Sequence, residues 1–215
     1  VGSERQDTRQ HFSPRFLCYN LWGYFLEPVR WSGRFPFVVD ITPPAAPAGH
    51  ATVEHPFGIL TNIPLVWLAL ATPLVWRGRL REPRSALRFF GLTLALLFGI
   101  CALTLGLFQS ASIRYEVDFL PALVMLAVLG ILGLERALAG RSSAWRLTTQ
   151  LGWGLLLAFS VSFNLLSMLE RSVEAYMQHG VFSSQIGQFD QAIVQFQKAL
   201  KLQPDNAEAH ISLGT

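Results

Sequence analysis

FFGLTLALLFGICALTLGLFQSASI, residues 89–113, runs for twenty-five residues without one charged side chain. A helix of about 20 apolar residues crosses the hydrocarbon core of a bilayer, and a water-soluble domain has little use for so long a run. Three more runs resemble it. The sequence therefore predicts four membrane spans, at about 57–76, 87–108, 119–139 and 147–169. The expected fold class is all-α: a four-helix transmembrane segment followed by the start of an α-solenoid. The corresponding domains are an extracytoplasmic loop with an interfacial aromatic helix (1–56), a transmembrane domain (57–169) and a truncated repeat region (173–215).

Composition agrees with two different solvents along one chain. Hydrophobic residues make up 51% and charged residues 14%, and the mean hydropathy is +0.36, above a typical soluble domain. The positive charge is almost all arginine. Lysine occurs only at Lys198 and Lys201, late in the chain. The net charge is +3, yet nucleic acid is not the expected partner. The arginines sit at the ends of apolar runs, where positive residues fix membrane orientation, and not on one soluble face.

Orientation follows from the connections. The first carries Arg77, Arg79, Arg81, Arg84 and Arg88, and the third carries Arg136, Arg141 and Arg146. The second carries Arg114 alone, offset by Glu116 and Asp118. Arginine-rich loops stay cytoplasmic, so residues 1–56, the Arg114 loop and everything after Leu169 are expected outside, in a bacterium beyond the inner membrane. Pro64 and Pro73 lie in the first span, where neighbours can satisfy the freed carbonyls. Gly91, Gly99 and Gly106 are small enough to admit a close neighbour, from this chain or another.

The first 56 residues are polar, aromatic and rich in proline. Leu17, Leu21 and Phe25 recur four apart beside Trp22 and Tyr24. Two readings stand side by side: a helix in the membrane interface, where Trp and Tyr prefer to lie, or a helix packed on the rest of the protein. The chain starts at Val1 and stops within a repeat, so a piece of a longer protein is expected.

From Val173 the chain turns polar with a helical period. GQFDQAIVQFQKALKLQPDNAEA (187–209) resembles the second half of a tetratricopeptide repeat (TPR). Gly180, Gly187, Phe189, Ala192, Phe196, Ala199 and Pro204 fall at its offsets. Ala192 and Ala199 are small enough for two helices to approach, Phe196 fills the space between them, and Pro204 ends the second helix. Tyr176 stands where tryptophan is usual and Ser183 where tyrosine is usual. His210, Leu213 and Gly214 look like the opening of a second repeat. The bland alternative is a generic helical hairpin. Such repeats bind a protein or peptide partner in a concave groove.

Candidate chemistry is thin. Arg114 and Tyr115 lie at the entrance to the third span, where charged residues tend to be paired or functional. An arginine can clamp a phosphate, and Tyr115 can donate a hydrogen bond. The alternative is that Arg114 pairs with Glu116 or Asp118 and anchors the helix. His50, Glu54 and His55 miss the spacing of a zinc helix motif and sit among Pro and Gly, so no metal is expected. Asp40 and Glu54 are carboxylates of a solvated loop. Cys18 and Cys101 form no disulfide framework. No cofactor is expected and no catalytic residue is assigned.

SIRYEVDFLPALVMLAVLG (112–130) resembles the Arg-Tyr-x-x-x-x-x-Pro segment of bacterial glycosyltransferases of the GT-C type, similar to the protein O-mannosyltransferases. That resemblance implies a polyprenyl-phosphate sugar donor, with Arg114 and Tyr115 near the donor phosphate. The family's catalytic acid lies in an early external loop beside an acidic pair. No such pair occurs here, which implies that this chain alone is inactive. FLCYNLWGYFLEPVRWSGRFPF (16–37) and EHPFGILTNIP (54–64) resemble membrane proteins without assigned activity. Two functions therefore stand: part of a lipid-linked sugar transferase, or a non-enzymatic membrane scaffold that recruits a partner through its repeats. A transporter is a distant third.

Overall fold

The computed structural model describes residues 11–39, 44–52, 56–77 and 82–214. Among the described residues the fold is all-α apart from four two-residue strands. In order come α1 (Pro14–Leu21), a π-helical turn (Trp22–Leu26), β1 (Arg30–Trp31), β2 (Val38–Val39), β3 (Ala51–Thr52) and α2 (Ile59–Asn62). A 3₁₀-helix (Pro64–Arg77), α3 (Glu82–Leu107), β4 (Ser110–Ala111) and a 3₁₀ turn (Ile113–Tyr115) follow, and then α4 (Glu116–Leu138), α5 (Ser143–Gln185), α6 (Phe189–Leu202) and α7 (Ala207–Leu213). The described residues fall into two compact units, one within 11–28 and 44–160, the other within 29–39 and 161–214.

In the first unit α4 is the centre. Of its apolar window 44% is buried, against 17% for α3 and 11% for α5. Three stretches are long and apolar enough to cross a membrane: Ala86–Leu107, Ile113–Leu138 and the helix Ser143–Gln185. Their outer faces carry Phe89, Leu92, Leu96, Leu97 and Ile100 on α3 and Leu151 and Leu155 on α5, all exposed. Apolar surface of this extent is what lipid covers.

The run 57–76 differs from the single membrane helix its composition suggests. It breaks at Ile63, and Pro64–Arg77 winds as a 3₁₀-helix of 14 residues. Pro64 opens the helix, where an amide donor is not needed, and Pro73 inside it supplies none. Three side-chain bonds hold the stretch. Trp67 Nε1 donates to Leu60 O at 2.8 Å, the Leu65 amide donates to Ser160 Oγ at 3.3 Å, and Thr72 Oγ1 donates to Leu126 O at 2.8 Å. At about 2.0 Å per residue the segment reaches about 28 Å, close to the thickness of a hydrocarbon core.

The 3₁₀-helix lies directly on α4, and two glycines admit it. A methyl group on Gly130 would overlap the Leu68 carbonyl, and one on Gly133 would stand 3.0 Å from the Val75 amide nitrogen. Of the glycines singled out in the sequence, Gly106 lies under Leu17, with 2.8 Å left for a methyl, and Gly91 makes ordinary contacts with Thr72 and Trp76. Gly99 faces open space.

α1 packs one face on α3 through Phe16 and Asn20, both buried, while Trp22 in the next turn stays exposed. Asn20 Nδ2 donates to the carbonyls of Leu105, Gly106 and Phe108 at 3.1, 3.2 and 2.7 Å. Carbonyls at the end of a helix are short of backbone donors, and that of Leu105 takes the Phe108 amide as well, at 3.3 Å. His50 Nε2 lies 2.8 Å from Asn20 Oδ1, between the rings of Phe16 and Tyr19. The chain leaving α3 is flanked on both sides. β3 pairs with β4 in parallel, and Phe12 bridges Phe108.

In the second unit β1 and β2 form an antiparallel hairpin, with Arg30 opposite Val39 and Trp31 opposite Val38. The end of α5, α6 and α7 share a core of Val173, Met177, Ala192, Phe196, Ala199 and Ala209. α5 is unbroken over 43 residues, about 65 Å of helix. It contributes its first part to one unit and its second part to the other.

Candidate functional site

The C-terminal helices form a shallow groove of about 410 Å³, lined by Glu174, Met177, Gln178, Val181, Phe182 and Gln185 of α5 and Glu208 of α7. The positions on α5 are spaced three and four apart, so one helical face supplies them. Met177, Val181 and Phe182 give the floor its apolar character. Both charged lining residues are acidic. Glu174 takes a hydrogen bond from Gln178 at 3.1 Å and an ion pair from Arg171 at 3.4 Å. Glu208 lies in the first turn of α7.

The residues that support this face sit behind it. Gly180 lies against the ring of Phe196. Ala192 and Ala199 are buried where α6 meets α5 and α7. Gly187 has φ +77°, the left-handed turn that reverses the chain between α5 and α6. Phe189 opens α6 and is largely exposed. Pro204 follows the end of α6, and its carbonyl lies 2.8 Å from His210 Nε2. Lys198 Nζ lies 5.5 Å from the centre of the Tyr176 ring.

Sequence reading did not single out the groove residues themselves. The signal was present: apolar Met177 and Val181 alternate with polar Glu174, Gln178 and Gln185 along one stripe, next to the residues read as structural.

The second candidate is the start of α4. Ser112 is extended and buried, and its Oγ accepts from the Arg114 amide at 3.4 Å. The phenol of Tyr24 meets both backbone groups of Ser112, at 3.3 Å from its carbonyl and 3.2 Å from its amide. Burial pushes the Tyr24 phenol well above its ordinary range. The bond to Ser112 works against that shift, and Glu116, Tyr115 and Asp118 add to it. Arg114 is exposed, and the Tyr115 ring stands edge-on to Phe108 at 5.8 Å. Beneath them Phe25, Phe98 and Phe119 form an aromatic cluster, with centroids 5.2 to 6.0 Å apart. Among the described residues no group of three or more His, Cys, Asp and Glu is placed to hold a metal ion. Asp40, Glu54 and His55 lie outside the described residues, as do Arg79 and Arg81.

Residues 185–215 match the family model described as a TPR repeat. No curated protein matches the chain, and no solved structure does. The chain thus carries a TPR repeat, a module that works through protein–protein contact, together with, among the described residues, three helices long and apolar enough for a bilayer.

Proposed function

We propose that this is an integral membrane scaffold that offers its TPR groove to a protein partner. The observation that carries the reading is α5, a single helix that holds both an apolar stretch of membrane length and one wall of the groove. The partner is a peptide segment with apolar side chains for the Met177–Phe182 floor and cationic ones for Glu174 and Glu208. The arginine distribution supports the bacterial inner membrane as the site, with residues 1–56 and the repeat region extracytoplasmic and residues 57–169 as the membrane domain.

The test uses the full chain in lipid nanodiscs and two labelled twelve-residue peptides, one of Lys and Leu and one of Glu and Leu. The basic peptide is expected to bind, to weaken with salt, and to lose affinity several-fold on E174Q/E208Q. Equal binding of both peptides, or none, overturns the partner chemistry. Release of the chain from vesicles by alkaline carbonate overturns the membrane reading. Orientation is tested in a C18S/C101S background with a cysteine placed beside Arg79. Labelling from outside intact cells reverses the topology.

A second reading is supported by exposed Arg114 at the start of α4 and by the resemblance of residues 112–130. It is a lipid-linked sugar transferase segment in which Arg114 and Tyr115 meet a polyprenyl phosphate. Binding of polyprenyl phosphate that is unchanged in R114A removes it.

A further inference from the structure

The β1–β2 hairpin shows an unusual amount of greasy surface for its size. Val29, Pro36 and Val38 turn inward and are buried, whereas Trp31, Phe35, Phe37 and Val39 are 56, 44, 43 and 40% exposed. Phe35 and Phe37 stand edge to face at 5.8 Å. Arg30 and Arg34 are exposed beside them. A pattern of aromatic rings with arginines is the composition of a membrane–water boundary.

Its place along α5 gives the level. The Trp31 ring lies 6.2 Å from that of Phe163. At the tip, Gln203 Nε2 donates to Phe35 O at 3.4 Å. Phe196 meets Gly180, so seven residues further along the returning α6, Gln203 comes level with about Val173. The hairpin therefore runs along α5 from Phe163 to about Val173, about 15 Å of helix. Between those two levels lies Glu170, the first charged residue after the uncharged stretch 147–169.

We propose that this hairpin is a membrane-interface anchor. Trp31, Phe35 and Phe37 sit among the upper acyl chains, and Arg30 and Arg34 meet the phosphates of anionic lipid headgroups. The occupant is lipid and not a protein, because exposed rings and exposed arginines stand together at the level of Glu170, where the uncharged stretch of α5 ends. The proposal rests on the reading that α5 crosses a bilayer.

The test uses the full chain in a C18S/C101S background, reconstituted into phosphatidylglycerol/phosphatidylcholine vesicles. A fluorophore is placed at G33C, where a new side chain meets open space. Controls carry it at L155C within the span and at Q188C beyond it. Lipids with a spin label at the headgroup or deep in the chain, and aqueous iodide, serve as quenchers. The Gly33 site is expected to be quenched several-fold more by the headgroup label than by the deep label, and poorly by iodide. In R30Q/R34Q the preference for phosphatidylglycerol over pure phosphatidylcholine vesicles is expected to be lost. If Leu155 is quenched from the deep label while Gly33 behaves like Gln188, the anchor fails and the span stands. If Gly33 is shielded from every quencher, protein covers it and the anchor also fails. If iodide reaches Leu155, the span fails and takes the anchor with it.

Discussion

Gly180 on α5 faces the ring edge of Phe196 on α6, and a methyl group at Gly180 would stand 2.5 Å from Phe196 Cε1. The ring is buried in the core of the second unit, so it has little room to retreat. Phe196→Ala removes the largest side chain of that core and is expected to cost about 3–5 kcal/mol. Gly180→Ala overpacks the same place and costs about 1–3 kcal/mol. The double variant is expected to cost clearly less than the two together, because the methyl enters space the ring has left. Urea-dependent proteolysis of α6 in the full chain measures all three. Strict additivity would show that the two sites do not touch.

Asn20 is expected to matter more than its size. Asn20→Ala leaves buried carbonyls at the end of α3 without their donor, at about 2–4 kcal/mol. Asn20→Asp is worse at neutral pH, since a carboxylate then faces the negative end of a helix. In a His50→Gln background, which removes the imidazole beside Asn20, such a carboxyl is expected to titrate above its ordinary value, so the difference between Asp and Ala shrinks as the pH falls. Thermal melts in detergent across the acid range give the answer, and a pH-independent gap rules the arrangement out.

The two glycines under the 3₁₀-helix make a sharp contrast with a third. Gly130→Ala forces Leu68 away from α4 and is expected to cost at least about 2 kcal/mol. Thr72→Val loses the bond to Leu126 O, about 1 kcal/mol. Gly99→Ala, in open surroundings within α3, is expected to be neutral or to stabilise by up to about 1 kcal/mol. If Gly130→Ala and Gly99→Ala melt alike, the close approach is wrong.

The buried phenol of Tyr24 sets an alkaline limit. Its pKa in the folded chain lies above the ordinary phenol value near 10. Its contribution is therefore complete below that value and is lost as pH climbs above it, where only the unfolded chain ionises. Tyr24→Phe gives up the contacts to Ser112, so it is expected to be less stable at neutral pH. The loss of stability above about pH 10 should be shallower in that variant. Parallel alkaline limbs in the two proteins would exclude Tyr24 as the cause.

Some of this fold was legible in the residues and some was not. Apolar length alone marks the long helices, because nothing but lipid or a deep core tolerates twenty uncharged residues in a row. The repeat is legible because its spacing joins small, aromatic and helix-ending residues in one fixed order. The 3₁₀ winding of 64–77 is not legible. Proline at 64 and 73 warns of trouble, but the choice of ladder depends on Ser160, Leu126 and Gly130, which are remote in sequence. Asn20 also hides in an aromatic stretch, since its partners are carbonyls, and every residue has one. The groove lay one step from view: the sequence pointed to Ala192 and Phe196 behind it and passed over Met177 and Phe182 in front. For Arg114 the residue type suggests phosphate, and the exposed side chain leaves that a question for a binding experiment.

The stretched coil between Pro64 and Arg77 has a mechanical side. Fourteen residues rewound at 1.5 Å each would be about 7 Å shorter than at 2.0 Å each. Membranes of different composition differ in thickness by only a few ångströms. A segment that stores more length than that in its winding, yet is tied to Ser160 through Leu65 and to Leu126 through Thr72, can give up that length only by breaking those bonds.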